Sequence, residues 1–106
     1  MASAGAYSVY PTSAALEAGM IPSLLPGPYD FGAYRCSSVA IATNKCPILP
    51  YRGVARSGAC LAIELVMDAV AQQTGIEPYQ VRLLNLVRPD QMPFDNVVNK
   101  HLDSGD

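Results

Sequence analysis

Charge is what this sequence has least of. Charged residues make up 15% of the chain against 50% hydrophobic ones, where a soluble domain ordinarily carries about a quarter charged. A chain so composed either buries most of its surface or carries apolar faces meant for neighbours. Its seven basic residues are scattered and its net charge is −2, which leaves no basic patch for a nucleic-acid partner. Long apolar runs are missing as well. Nothing approaches the roughly 18 residues of a membrane span, and the N-terminus lacks the basic-then-apolar pattern of a signal peptide. The expectation is a cytoplasmic protein with no membrane partner. Metal-ligand pairs are absent too. The three cysteines, Cys36, Cys46 and Cys60, are widely spaced, and the single histidine, His101, lies far from all of them. Neither a disulfide framework nor a zinc site fits, and buried free thiols are expected.

What the chain does contain is one long helical pattern. Gly58 to Thr74 has no proline and keeps Glu64, Asp68 and Gln72 on one stripe at i, i+4 spacing. The other faces are apolar nearly all round, which predicts a helix buried on most sides. Gly75 is expected to cap it in the left-handed conformation, and Pro78 to open a second helix running to about Leu86, with Val81, Leu84 and Tyr79 facing inward. Upstream, Ala4 to Tyr10 reads as a short strand. Thr12 or Ser13 caps a brief helix from Ala14 to Met20, and three prolines between Pro22 and Asp30 argue for a structured loop. Ala33 to Thr43 alternates β-branched and small residues and reads as a strand. The tail from Val87 reads as loop. The fold expected is α+β, with short strands packed against a long buried helix and a shorter one, residues 1–106 forming a single partial domain.

Between strand and helix lies Tyr51-Arg52-Gly53-Val54-Ala55-Arg56-Ser57-Gly58. It is small, flexible and cationic where a helix begins, a binding loop's composition that lets backbone approach something closely, while composition alone favours a helix lead-in with solvated arginines. Elsewhere, His101, Asp103 and Ser104 share a tail too short to converge as a triad. Glu64 and Asp68 read as the solvated stripe of the helix, and Arg82 and Arg88 as exposed surface.

Taken in order, Leu25-Pro26-Gly27-Pro28-Tyr29-Asp30, Thr43-Asn44-Lys45, Tyr51-Arg52-Gly53, Ala62-Ile63-Glu64, Val81-Arg82 with Asn85-Leu86, Asp90-Gln91-Met92-Pro93-Phe94 and Asp103-Ser104-Gly105-Asp106 resemble one family throughout. It is the molybdopterin-binding large subunit of the xanthine dehydrogenase and aldehyde oxidase group, of which this chain looks like an internal slice. The resemblance implies a molybdenum hydroxylase of aldehydes or N-heterocycles, with molybdopterin as cofactor and electrons leaving through iron–sulfur and often flavin subunits. It further implies that Tyr51, Arg52 and Gly53 bind the cofactor, largely through backbone, and that Val54 faces the substrate.

Two features depart from the family's pattern. Its loop commonly reads Tyr-Arg-Gly-x-Gly-Arg-Pro, whereas Ala55 and Ser57 replace the second glycine and the proline. Alanine is harmless there only at negative φ. The family's catalytic glutamate belongs to a later Gly-x-Gly-Glu motif that Glu17, Glu64 and Glu77 do not match, so the isolated chain is expected to be inactive and to bind no cofactor alone. Tyr34-Arg35-Cys36-Ser37 resembles the copper-holding loop of carbon monoxide dehydrogenases, but it precedes Thr43-Asn44-Lys45 where that loop follows it, which leaves Cys36 an ordinary strand cysteine. The alternative function is a stand-alone small binding or oligomerisation module without cofactor, its apolar helix faces covered by a partner chain, a homo-oligomer being one such arrangement.

Overall fold

A computed structural model describes residues 2, 3, 5, 16–47 and 51–105. Three helices carry the architecture: α1 (Leu16–Leu24), α2 (Arg56–Thr74) and α3 (Pro78–Asn85). Four two-residue strands complete it. Strand β1 (Ala2–Ser3) pairs in parallel with β2 (Ala40–Ile41), and β3 (Phe94–Asp95) pairs antiparallel with β4 (His101–Leu102). The class is α+β. Of the strand expected over Ala4–Tyr10 only Gly5 is described, outside any strand at φ 74°, and the caps Thr12 and Ser13 lie outside the described residues.

Helix α2 begins two residues earlier than its proline-free window and ends as predicted, with Gly75 at φ 71° donating its N–H to the Ala71 carbonyl. Pro78 opens α3 one turn later. The core sits where these two helices meet the segment following α1. Tyr29, Ile63, Met67, Ala71 and Val81 are buried together, with Leu25, Phe31 and Leu86 packed against them. A backbone bridge between Tyr29 and Leu86 ties that segment to the end of α3, through Asp30 N–H to the Asn85 carbonyl (2.8 Å) and Val87 N–H to the Pro28 carbonyl (3.0 Å).

Burial of α2 is confined to Ala59, Ile63, Met67 and Ala71, the i, i+4 stripe of one helix face. Leu61, Leu65, Val66 and Val70 are 41–62% exposed, so the expectation of burial on most sides does not hold within this chain. On α3, Val81 is buried, but Tyr79 and Leu84 are 60% and 75% exposed. Eight residues offer only about two turns, and Val81 is the one α3 residue fully buried in the core.

Four further expectations are corrected. Helix α1 runs through Gly19 and Pro22 to Leu24, because the Ala18 carbonyl that Pro22 cannot serve accepts the Ser38 hydroxyl at 2.6 Å. The Tyr34 hydroxyl donates to the Pro22 carbonyl at 2.9 Å. Between Ala33 and Thr43 the hydroxyls of Tyr34 and Ser38 are spent on α1 in this way, and only Ala40–Ile41 remain strand. The three cysteines are exposed rather than buried, and Cys36 lies in irregular chain. The tail is not wholly loop. Its hairpin closes on buried Asn96, whose Oδ1 accepts the N–H groups of Val98 (3.1 Å) and Lys100 (2.9 Å).

Candidate functional site

The stretch singled out in the sequence forms two tight turns leading into α2. Val54 N–H donates to the Tyr51 carbonyl at 2.8 Å, and Arg56 N–H to the Gly53 carbonyl at 2.9 Å. Closing both turns in four residues drives the chain into the left-handed region, with Gly53 at φ 101° and Val54 at φ 43°. Glycine takes that conformation freely, but a β-branched residue does so only under constraint. Ala55, by contrast, adopts φ −72° and is buried. Its methyl group is therefore accommodated where the family carries glycine. Ser57 lies beside the loop, where a Cβ on Gly53 would come within 3.2 Å of its hydroxyl oxygen.

Tyr51 and Arg52 are exposed, Tyr51 to 86%, while Gly53 and Val54 are half-buried. The first-turn N–H groups of Ser57 and Gly58 have no backbone acceptor among the described residues. Such donors, at the positive end of a 19-residue helix, favour a negative group. Two exposed arginines, Arg52 and Arg56, precede them in the chain. Behind Arg56 a cleft of about 210 Å³ opens between α2 and the Gly27–Pro28 turn, with Cys60 and Glu64 on its helix side.

Glu64 leads to an arrangement the sequence reading missed. Its Oε1 accepts the Tyr29 hydroxyl at 2.7 Å and its Oε2 accepts Arg82 Nε at 2.6 Å. Arg82 Nη2 donates to Asp68 Oδ1 at 2.8 Å. The carboxylates at i and i+4 on α2 are thus gripped by one guanidinium from α3 rather than solvated. The Tyr29 hydrogen bond, then Arg82, hold the Glu64 carboxyl below its ordinary pKa. Burial, reinforced by the nearby carboxylate, pushes the Tyr29 hydroxyl up to about 12. A signal was available: two acids one turn apart face whatever the next helix presents when a short turn folds it back. Arg88 is exposed as expected, paired only with Asp90.

His101 Nδ1 lies 2.9 Å from Asp95 Oδ1 across the hairpin. No triad forms with Asp103 and Ser104, whose own contact is to each other. No group of three or more histidine, cysteine, aspartate or glutamate side chains able to hold a metal ion occurs among the described residues. Nor is any described helix long and apolar enough to cross a membrane.

Fold and loop together define an α+β segment whose central helix springs from a strained, cationic, glycine-bearing turn. The chain belongs to the molybdopterin cofactor-binding domain family, whose sequence profile matches residues 1–86. It is 34% identical to the nicotine 6-hydroxylase large subunit of Paenarthrobacter nicotinovorans over 87% of its length, and 30% identical to the carbon monoxide dehydrogenase large chain of Hydrogenophaga pseudoflava over 96%. It spans only 11% and 13% of those two proteins. The crystal structure of quinoline 2-oxidoreductase from Pseudomonas putida 86 superposes with a TM-score of 0.87 at 35% identity, over 95% of this chain and 13% of that one. The chain thus corresponds to a piece of a molybdopterin-binding domain of the molybdenum hydroxylase family.

Proposed function

We propose that the chain supplies the cofactor- and substrate-facing loop of a molybdenum hydroxylase acting on an aldehyde or an N-heterocycle in the cytoplasm. Tyr51, Arg52 and Gly53 bind the molybdopterin cofactor and Val54 faces the substrate. The observation that carries this reading is the backbone of the loop, with consecutive left-handed residues, one of them valine, directly before the start of α2. Strain of that kind costs about 1–3 kcal/mol and gathers where a ligand must be met in one geometry.

The residues present fit such a cofactor. Gly53 offers backbone without a side chain, Arg52 sets an exposed positive charge beside it, and the first-turn N–H groups of Ser57 and Gly58, without a backbone acceptor among the described residues, add donors for an anion. When bound, the cofactor supplies the oxidation chemistry, and the protein supplies position and polarity. Half-buried Val54 presents an apolar surface that orients a substrate ring and excludes water from it. Proton transfer needs a base within hydrogen-bond reach, and Glu64 has both oxygens committed to Tyr29 and Arg82. The base is therefore contributed by another part of the large subunit, within which residues 1–106 are one partial domain. Iron–sulfur and flavin subunits take the electrons. Relatives named as large subunits or large chains support the presence of partner subunits.

The test is molybdenum content and turnover of the complete large subunit carrying this segment. Gly53→Val places a branched side chain at φ 101° and is expected to abolish molybdenum retention. Arg52→Ala should lower it, and the isolated 106-residue chain should hold none. Unchanged metal content and turnover in both loop variants would sink the reading.

A further inference from the structure

Tyr29 is 2% exposed, and its hydroxyl is spent on Glu64. Arg82 uses every nitrogen of its guanidinium. Besides Glu64 Oε2 and Asp68 Oδ1, Nη2 donates to the Glu64 carbonyl at 3.2 Å and Nη1 to the Pro78 carbonyl at 3.1 Å. Three separate pieces of chain, the Pro28–Asp30 segment, α2 and α3, are locked to one another through one carboxylate. Ion pairs whose side chains remain 25–46% exposed add little to stability, about 0–1 kcal/mol each. What a forked guanidinium adds at such a place is geometry.

That geometry bears on the loop. From Glu64 back to Arg56 is eight residues of unbroken helix, about 12 Å of rigid rod at 1.5 Å per residue. Along this length Gly27 and Pro28, adjacent to Tyr29, form the wall of the cleft facing Arg56 and Cys60. The Tyr29–Glu64 bond therefore sets how far that wall stands from the first two turns of α2. Ala59 and Ala55, buried at successive i−4 steps from Ile63 and joined by the Ala59 N–H to Ala55 carbonyl bond (2.9 Å), lie between the junction and the turn at Gly53 and Val54.

We propose that Tyr29, Glu64, Asp68 and Arg82 form a positioning junction that fixes the pose of the 51–58 loop from a distance. In its functional consequence this rests on the cofactor-loop reading above. The experiment uses the complete large subunit with Tyr29→Phe, which removes only the hydroxyl, and Arg82→Lys, which keeps the charge and loses the fork. Amide exchange is followed by mass spectrometry, alongside molybdenum content and the KM and kcat of the metal-loaded fraction. Exchange across residues 51–58 is expected to accelerate severalfold in both variants, lysine failing to rescue, and KM to rise more than kcat falls. Faster exchange restricted to residues 26–31 and 78–87, with the loop unchanged, overturns the proposal and leaves a local structural role. If the loop loosens while KM, metal content and the Arg52→Ala variant are all silent, the junction stands and the cofactor-loop reading falls.

Discussion

Val54 is the residue that most needs its surroundings. At φ 43° its branched Cβ crowds the backbone at a cost of roughly 1–2 kcal/mol, which asparagine largely avoids. Val54→Asn is expected to slow amide exchange across the turn by about five- to thirtyfold, the equivalent of that relief in local opening. Substrate binding should weaken as the apolar surface is lost. Faster exchange would mean that valine is not strained there. Glu64 gives a pH dependence. Its folded pKa is held below the ordinary 4.5 by Tyr29 first and Arg82 second. Its contribution to stability is therefore complete above that value and disappears as pH falls through the lowered one. At the other end Tyr29, pushed up to about 12 from 10.0, contributes below pH 10 and loses that contribution as pH rises through 12. Exchange protection around residue 64 should thus form a plateau between these limits, and Glu64→Gln should abolish its acid edge.

Among the elements, α1 shows how a helix tolerates proline. Pro22 leaves the Ala18 carbonyl without its helical donor, and the Ser38 hydroxyl replaces it from twenty residues away. Ser38→Ala should destabilise the α1 region by about 1 kcal/mol, the ordinary net worth of one hydrogen bond. In a Pro22→Ala background, where an N–H is again available, the same change should cost far less. Exchange rates over α1 in the double-mutant cycle read the coupling directly, and equal costs in both backgrounds would disprove the replacement. The same contact explains why the stretch from Ala33 to Thr43 does not become the strand its alternation predicts. Ser38, on the small-residue face by period two, is drawn instead to a carbonyl of α1, and propensity yields to that partner.

Across the whole molecule, the low charge content finds its expression in surface. The Cα radius of gyration is 16.2 Å, against about 13 Å for a compact domain of this length. Leu61, Leu65, Val66 and Val70 on α2 and Leu83 and Leu84 on α3 are open to solvent. In a segment that matches about a tenth of its relatives' length, such faces suit burial by the rest of a larger domain. The isolated chain is expected to self-associate on size exclusion with light scattering. The pair Leu65→Lys and Val66→Lys should raise its solubility without lowering helix content by circular dichroism. A discrete dimer abolished by those changes would instead favour the stand-alone module.

The sequence by itself determined where α2 stops, that α3 follows it through Pro78, and which family the chain belongs to. Each of these is written in local chemistry: a glycine at a left-handed cap, a proline at a first helical turn, short motifs in fixed order. It also marked the loop, since small residues and arginines before a helix read the same in any context. Only the tertiary structure decided that Val54 and not Ala55 bears the strain, because closing two successive turns, rather than residue type, sets φ there. The tertiary structure likewise turned Glu64, Asp68 and Arg82 from separate surface charges into one junction around Tyr29. Their meeting depends on how α3 folds back on α2: the i, i+4 spacing of the acids and the short turn at Gly75 allow it, but the packing of the two helices selects Arg82 as the partner.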